Sequence, residues 1–147
     1  MRRATVYRRK KQFLVHASSR TTDGAWILWP PCLAVPEGSH GQELGQSIRA
    51  ALDASRMNVP HPQIWKGLLD PLLALAGVKA WSTFSKDASC VEVEDDGSRI
   101  TLIPTRNLGP DEGFQADHSR QIVPEPGAAA LGAAVRELLP EPAASPG

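Results

Sequence analysis

The sequence lacks a long apolar run and has few cysteines. Its N-terminal segment is positively charged, but the apolar run there covers only residues 13–15, which is too short for the core of a signal peptide. No stretch approaches the roughly 20 apolar residues of a membrane-spanning helix. Cys32 and Cys90 lie far apart and outside any metal-ligand spacing. These absences predict a cytoplasmic protein with reduced, packed thiols and no membrane partner.

Motifs of the common enzyme classes are also missing. The four histidines are isolated, no zinc-ligand spacing occurs, and there is neither a phosphate-binding loop nor a G-x-S-x-G element. His61 stands between two prolines in VPHPQIWKG, but the sequence gives it no partner to set its pKa and no nucleophile. We therefore predict no enzyme, no metal, no cofactor and no small-molecule substrate. A hydrolase that uses Cys32 or Cys90 with a histidine remains a further alternative.

Basic and acidic residues are unevenly distributed, although the formal net charge is zero. Residues 1–20 contain seven Arg and Lys and no acid, whereas the rest of the chain contains nine basic residues and all sixteen acids. We interpret residues 1–12 as a basic N-terminal arm on an acidic body. Because basic arms bind phosphates, one alternative is a small nucleic-acid-binding regulatory protein. Its candidate contacts are Arg2, Arg3, Arg8, Arg9, Lys10 and Lys11.

The clearest structural pattern is a hairpin in ASCVEVEDDGSRITLIP, residues 88–104. Asp96-Gly97 is a favoured two-residue turn between alternating runs. With those two residues as the loop, Glu94 faces Arg99 and Val93 faces Ile100. The pattern predicts one buried and one solvated face.

Helical spacing predicts the remaining elements. A capping box at Ser39 opens one helix that ends near Ser55, and Pro62 opens a second that buries Trp65. Shorter helices follow at 70–77 and before Lys86, and a final one begins near residue 126. We expect an α+β fold in which an antiparallel sheet, with the Asp96-Gly97 hairpin at its centre, is packed by about three to four helices. The predicted domain covers residues 1–140, and residues 141–147 form a disordered tail.

Acidic residues are dense between positions 87 and 117, where eight acids stand against Arg99 and Arg106. A solvated hairpin and loop would account for this composition. A patch of this density also attracts a basic partner and speeds its association.

Several segments together resemble one known family. They are TTDG before an apolar strand, NVPHPQIWK, GVKAWSTFSKDASCVEVEDDG, and ITLIPTRN followed by GF. In this order they are similar to the immunity proteins of bacterial contact-dependent growth inhibition systems, the CdiI family. The resemblance covers roughly residues 6–139. It does not extend to the arginine-rich start or to the Ala/Pro-rich end.

The resemblance implies a non-enzymatic inhibitor in the cytoplasm. Its partner would be the C-terminal toxin domain of the matching effector, often a nuclease. Because a nuclease groove is positively charged, we expect acidic side chains to contact the toxin, with no direct nucleic-acid contact. The predicted toxin-binding residues are Glu92, Asp95, Asp96, Asp111 and Glu112. Two other surfaces remain open as alternatives, the solvated sheet face around Cys90 and Ile103 and the helix surface after Pro62.

Overall fold

One antiparallel sheet of six strands organises the structure, a computed structural model that describes residues 1–139. The strands are β1 (Arg2–Arg9), β2 (Gln12–Arg20), β3 (Trp26–Pro36), β4 (Ala88–Asp95), β5 (Ile100–Asn107) and β6 (Phe114–Ala116). Their order across the sheet is β3-β2-β1-β4-β5-β6. The predicted tail at 141–147 lies outside the described residues.

Four helices pack against this sheet and confirm the predicted α+β class. They are α1 (Gly41–Ala54), α2 (Asp70–Ala76), α3 (Trp81–Lys86) and α4 (Ala128–Leu138). The larger core lies between one face of the sheet and the pair α1 and α4, and a smaller core lies under α2 and α3 on the opposite face. The predicted helices at 70–77, before Lys86 and after residue 126 are therefore confirmed.

The predicted basic arm is instead the start of the sheet. β1 pairs with β2 on one side and β4 on the other, so its backbone is enclosed by neighbouring strands. Ala4 and Val6 alternate into the larger core. The chain turns at Lys10, whose φ is 54°, and β2 returns antiparallel to β1.

Carboxylates contact all four arginines of β1. Arg2 lies 3.1 Å from Asp53, Arg8 lies 3.2 Å from Glu37, and Arg9 lies 3.9 Å from Asp87. Arg3 contacts two acids of β4. Interpretation of these residues as a free phosphate-binding arm is therefore wrong, because they neutralise acids brought together by folding.

The β4–β5 hairpin is present, but its predicted register is wrong by two residues. Glu94 pairs with Thr101 and Asp95 pairs with Ile100, so the loop has four residues, 96–99. The Asp96 carboxylate accepts hydrogen bonds from the backbone N–H groups of Ser98 and Arg99, which stabilise this wider turn. A shift of two preserves the faces, so the predicted separation of apolar and polar sides still holds.

α1 and α4 approach closely through two glycines. A Cβ atom at Gly45 would overlap the carbonyl oxygen of Ala128, and one at Gly132 would overlap the carbonyl oxygen of Gly41. Residues larger than glycine at either position would therefore separate the two helices.

Two predicted helix starts are wrong. α1 begins at Gly41 after His40, and among the described residues no side chain caps its first turn, so the capping box at Ser39 is absent. The chain after Pro62 forms turns rather than a helix until α2 begins at Asp70. The prediction of a helix there rested only on the spacing of apolar residues. It took no account of Gly67, whose φ of 87° is incompatible with a regular helix.

Candidate functional site

The face of the sheet opposite α1 and α4, here called the open face, is only partly covered. α2 and α3 cover the part around Tyr7 and Cys90. The neighbouring part contains a cavity of about 270 Å³. The residues that define its chemistry are Arg3, Thr5, His16, Trp26, Leu69 and Glu92.

Strand register brings the polar residues of this cavity together. Thr5 pairs with His16 of β2 on one side and with Glu92 of β4 on the other. Arg3 pairs with Glu94 in the adjacent row. Because directly opposed residues of neighbouring strands share a face, these side chains form a polar patch on the open face.

Arg3 is the cationic centre of this patch. Its Nε lies 3.4 Å from Oε2 of Glu92, and a terminal nitrogen lies 3.9 Å from Oε1 of Glu94. Its guanidinium carbon lies 5.4 Å from the centre of the Trp26 ring. Thr5 donates a 3.0 Å hydrogen bond to Oε2 of Glu92. Burial raises the pKa of Glu92, and Arg3 and Thr5 offset part of that rise.

His16 contributes a buried acceptor. Only 4% of the residue is exposed, and its Nδ1 lies 2.7 Å from the carbonyl oxygen of Ala17. Since a carbonyl oxygen only accepts, Nδ1 carries the proton and Nε2 of the neutral ring is an acceptor. Within residues 1–139, this Nε2 has no hydrogen-bond partner. Burial lowers the pKa of His16 to about 4, so the ring is neutral at neutral pH.

The five predicted toxin-binding acids lie in three separate places. Asp95 and Asp96 lie at the β4–β5 turn. Asp111 and Glu112 lie in the loop after β5, and since β5 has eight residues, about 25 Å of strand separates the two acidic pairs. Glu92 lies on the open face beside Arg3. The fold therefore does not gather these residues into one cluster.

The alternative sheet surface is also different from the prediction. Cys90 and Ile103 are buried, with 2% and 1% of their surface exposed. The accessible part of the open face lies farther along the strands, at Arg3 and Glu92.

The segment after Pro62 exposes two large apolar side chains. Ile64 is 74% exposed and Trp65 is 51% exposed, so the prediction that Trp65 anchors a helix in the core is wrong. Exposed aromatic residues are frequent at the energetic centres of protein interfaces. This segment therefore remains an accessible candidate contact.

His61 holds that segment against the β2–β3 turn. Its Nδ1 lies 2.8 Å from the Thr21 hydroxyl, its Nε2 lies 3.7 Å from an Asp23 carboxylate oxygen, and its ring packs edge-on against Trp65. The Thr21 hydroxyl also accepts from the N–H of Ala25, and Thr21 is buried. These contacts indicate a structural clamp that joins the TTDG and VPHPQIW segments. Sequence spacing had given His61 no partner, because both partners are about forty residues away.

The cysteine–histidine hydrolase alternative finds little support. Cys32 is the cross-strand partner of His16. Burial raises the pKa of the Cys32 thiol and lowers that of His16, so the proton stays on sulfur. Burial also raises the pKa of Cys90. Neither environment generates the thiolate that nucleophilic catalysis requires.

Thr5, His16 and Trp26 were not predicted as site residues, and Arg3 was predicted only as a nucleic-acid contact. Alternation along the strands could have indicated the positions of Arg3, Thr5 and His16. Arg3 and Thr5 flank Ala4, and His16 follows Val15, so they lie on the opposite face from these core residues. The prediction of a basic arm rested on the number of arginines and not on their spacing along the strand. Alternation within RRATVY would have placed Arg3 and Thr5 on one face of a strand.

Residues 1–139 contain no group of three His, Cys, Asp or Glu side chains placed to hold a metal ion. None of the helices in the described range is long and apolar enough to cross a membrane.

Comparison with known proteins connects the fold to a family. The sequence profile described as "CDI immunity protein", CdiI, matches residues 2–141. No curated protein matches the sequence. A protein of unknown function from Neisseria meningitidis has a similar structure, with a TM-score of 0.77 and 15% identity, over 94% of this chain and 93% of that one. The CdiA-CT/CdiI toxin and immunity complex from Yersinia pseudotuberculosis contains a chain with a TM-score of 0.72 and 18% identity, over 94% of each chain.

Proposed function

The chain belongs to the CDI immunity protein family, and on this premise we propose that it binds and neutralises the toxin domain of its matching contact-dependent growth inhibition effector. It acts in the cytoplasm by occupying a surface of the toxin, with no catalytic step of its own. The family match over residues 2–141 is the observation that carries this function. The fold shared with a chain of a toxin and immunity complex agrees with it.

We further propose that the toxin is a nuclease. Beyond residue 20 the sixteen acids outnumber the nine basic residues, which suits a partner with a positively charged substrate groove. Carboxylates that stand in for substrate phosphates would speed association with such a groove and reject partners with acidic surfaces.

Co-expression tests the function directly. The matching toxin domain is expected at the end of a large secreted-protein gene directly upstream. We expect its expression to stop growth, and co-expression of this chain to restore growth and to yield a co-purifying complex. Full toxicity despite abundant folded protein would contradict the proposal. Immunity proteins of other effectors provide the specificity control.

The two acidic pairs provide separate tests of the proposed toxin-facing surface. Asp96 accepts backbone hydrogen bonds within its turn, so charge reversal there would also disturb the turn. The variant Asp95→Asn/Asp96→Asn removes both charges and keeps acceptor oxygens. If the hairpin tip contacts a basic toxin surface, association should slow about tenfold at low salt. The matched variant Asp111→Asn/Glu112→Gln tests the opposite end of β5.

Stopped-flow association rates distinguish the results. Slowing by the hairpin variant alone would place the interface at the β4–β5 turn. Slowing by the loop variant alone would place it beyond β5. Unchanged rates for both variants would remove these four acids from the interface, and the open face with Glu92 would then be its acidic part.

The nucleic-acid-binding alternative loses its structural basis. Its principal cations, the arginines of β1, contact carboxylates within the fold. We therefore retain a single proposed function.

A further inference from the structure

We propose that the cavity on the open face receives one basic side chain, a lysine or an arginine, from the bound toxin. This inference rests on the proposed function and identifies the chemistry of one contact within it. Three observations lead to it: the hydrogen-bonding groups of the cavity, its charge balance and its size.

Two acceptors, the Glu92 carboxylate and the His16 imidazole, line the cavity beside Arg3. Glu92 accepts the Thr5 hydrogen bond, and Nε2 of His16 is an acceptor in the tautomer that Ala17 enforces. Glu94 lies outside the cavity lining, 3.9 Å from Arg3. The Thr5 hydroxyl hydrogen is directed to Glu92. Arg3 is the charged donor of the cavity, and its Nε lies 3.4 Å from Glu92. A ligand that enters with a hydrogen-bond donor would pair with Nε2 of His16, which has no hydrogen-bond partner among the described residues.

Charge favours the same ligand. One guanidinium, that of Arg3, lies between two carboxylates at 3.4 and 3.9 Å, so the patch has a net charge of about −1 with His16 neutral. Burial raises the pKa of Glu92, which indicates that Arg3 compensates its charge incompletely. An incoming cation would complete this compensation, whereas an anion would be repelled.

Size and walls favour a side chain. The cavity of about 270 Å³ is below the roughly 300–1,000 Å³ typical of drug-sized ligand sites. Trp26 and Leu69 form an apolar wall against which the methylene stem of lysine or arginine can pack. The Trp26 ring already faces one guanidinium, that of Arg3. An inserted cation would therefore have the Glu92 carboxylate at its head and an apolar wall along its stem.

The variant Glu92→Gln tests this contact. Glutamine keeps the shape of the glutamate side chain and can still accept the hydrogen bond from Thr5. Arg3 then has the Glu94 carboxylate as its remaining acidic partner. We expect toxin affinity to fall about thirtyfold, chiefly through faster dissociation, because a buried charge pair loses one partner. Glu37→Gln is the matched control, since Glu37 also pairs with an arginine and lies away from the open face at Arg8. We expect the control to bind within about twofold of wild type.

A double-mutant cycle identifies the toxin residue. Each lysine and arginine of the toxin is replaced by alanine and titrated against wild type, Glu92→Gln and Glu94→Gln. Glu94→Gln removes the excess charge without touching the Thr5 hydrogen bond, so it serves if Glu92→Gln fails to fold. One toxin residue should lose affinity strongly against wild type and little against these variants.

The result also separates this inference from the proposed function. If wild type binds the toxin and both glutamine variants bind equally tightly, the cavity does not receive a basic side chain. A uniform loss with no coupled toxin residue would likewise overturn the inference. Failure of wild type itself to bind would contradict the proposed function.

Discussion

Arg3 connects fold and function within a single side chain. On one side it neutralises Glu92 and Glu94, which lets β4 lie beside β1 with acids on the open face. On the other side its guanidinium lies over Trp26 of β3. Three strands are thereby joined across the open face by one cation. A residue that composition assigned to a nucleic-acid contact instead organises the proposed toxin-binding cavity.

His16 makes a pH-dependent contribution to stability. Its pKa is about 4 in the folded chain, because burial disfavours the imidazolium, whereas an unfolded histidine titrates near 6.5. The unfolded state therefore binds more protons between these values, and stability falls as pH falls from about 6.5 to about 4. The linked loss approaches about 3 kcal/mol for this single residue.

The variant His16→Gln isolates that contribution. Denaturant unfolding of both proteins between pH 7.5 and pH 4 should show a loss in wild type that is about 3 kcal/mol larger than in the variant. Glu92 and the other acids titrate in both proteins, so the difference reports His16. Parallel stability curves would show that the imidazole is not held neutral by the fold.

At the scale of elements, α1 and α4 depend on glycine at their contact. In an exposed helix interior Gly→Ala stabilises by about 1 kcal/mol, because alanine has the higher helix propensity. At Gly45 the new Cβ would overlap the backbone of Ala128, so the substitution destabilises the protein instead. We expect Gly45→Ala to destabilise the protein by about 2 kcal/mol, within the usual cost of overpacking.

Gly41→Ala provides the matched control in the same helix. A Cβ there would make ordinary contacts of 3.6 Å or more with α4. Thermal or urea unfolding should therefore show a small change for Gly41→Ala and a clear loss for Gly45→Ala. Equal stability of the two variants would mean that the helices can separate without cost.

The elements differ in how well sequence predicts them. Alternation predicted β4 and β5 with the correct faces, but the Asx interactions of Asp96 widened the turn and shifted the register. Helical spacing predicted α2 through α4, yet it also predicted a helix after Pro62, where Gly67 and the His61 clamp produce turns. Hydrophobic periodicity predicts the type of an element and its buried face. Strand register and turn length depend instead on specific side-chain contacts, which periodicity does not reveal.

The candidate site was harder to predict than the fold. Its residues come from four strands and from the segment before α2, so their proximity depends on the strand order. The β1–β4 pairing in particular brings residues near the start of the chain to positions about ninety residues later. The five predicted acids lie within a short stretch of sequence, but β5 separates the pair Asp95 and Asp96 from the pair Asp111 and Glu112 by its full length.

At the scale of the whole molecule, β1 is a structural requirement. Deletion of residues 1–11 would remove the strand between β2 and β4 and take Ala4 and Val6 from the larger core. We expect the truncated chain to lack a cooperative unfolding transition by circular dichroism and to lose toxin binding.

The variant Lys10→Gln/Lys11→Gln is the control for this deletion. Both lysines are exposed at the β1–β2 turn, so their neutralisation should leave fold and toxin binding intact. A truncated chain that remains folded and binds toxin would contradict the role assigned to β1. Loss of a nucleic-acid ligand from the lysine variant would instead revive the regulatory alternative.

The most direct test of the central claim is calorimetric titration of the purified chain with its purified toxin domain, with toxin activity measured across the same titration. We predict saturable binding, with toxin activity falling in proportion to the complex formed and stopping at saturation. Absence of binding heat over a range of temperatures, together with undiminished toxin activity at excess immunity protein, would contradict the account.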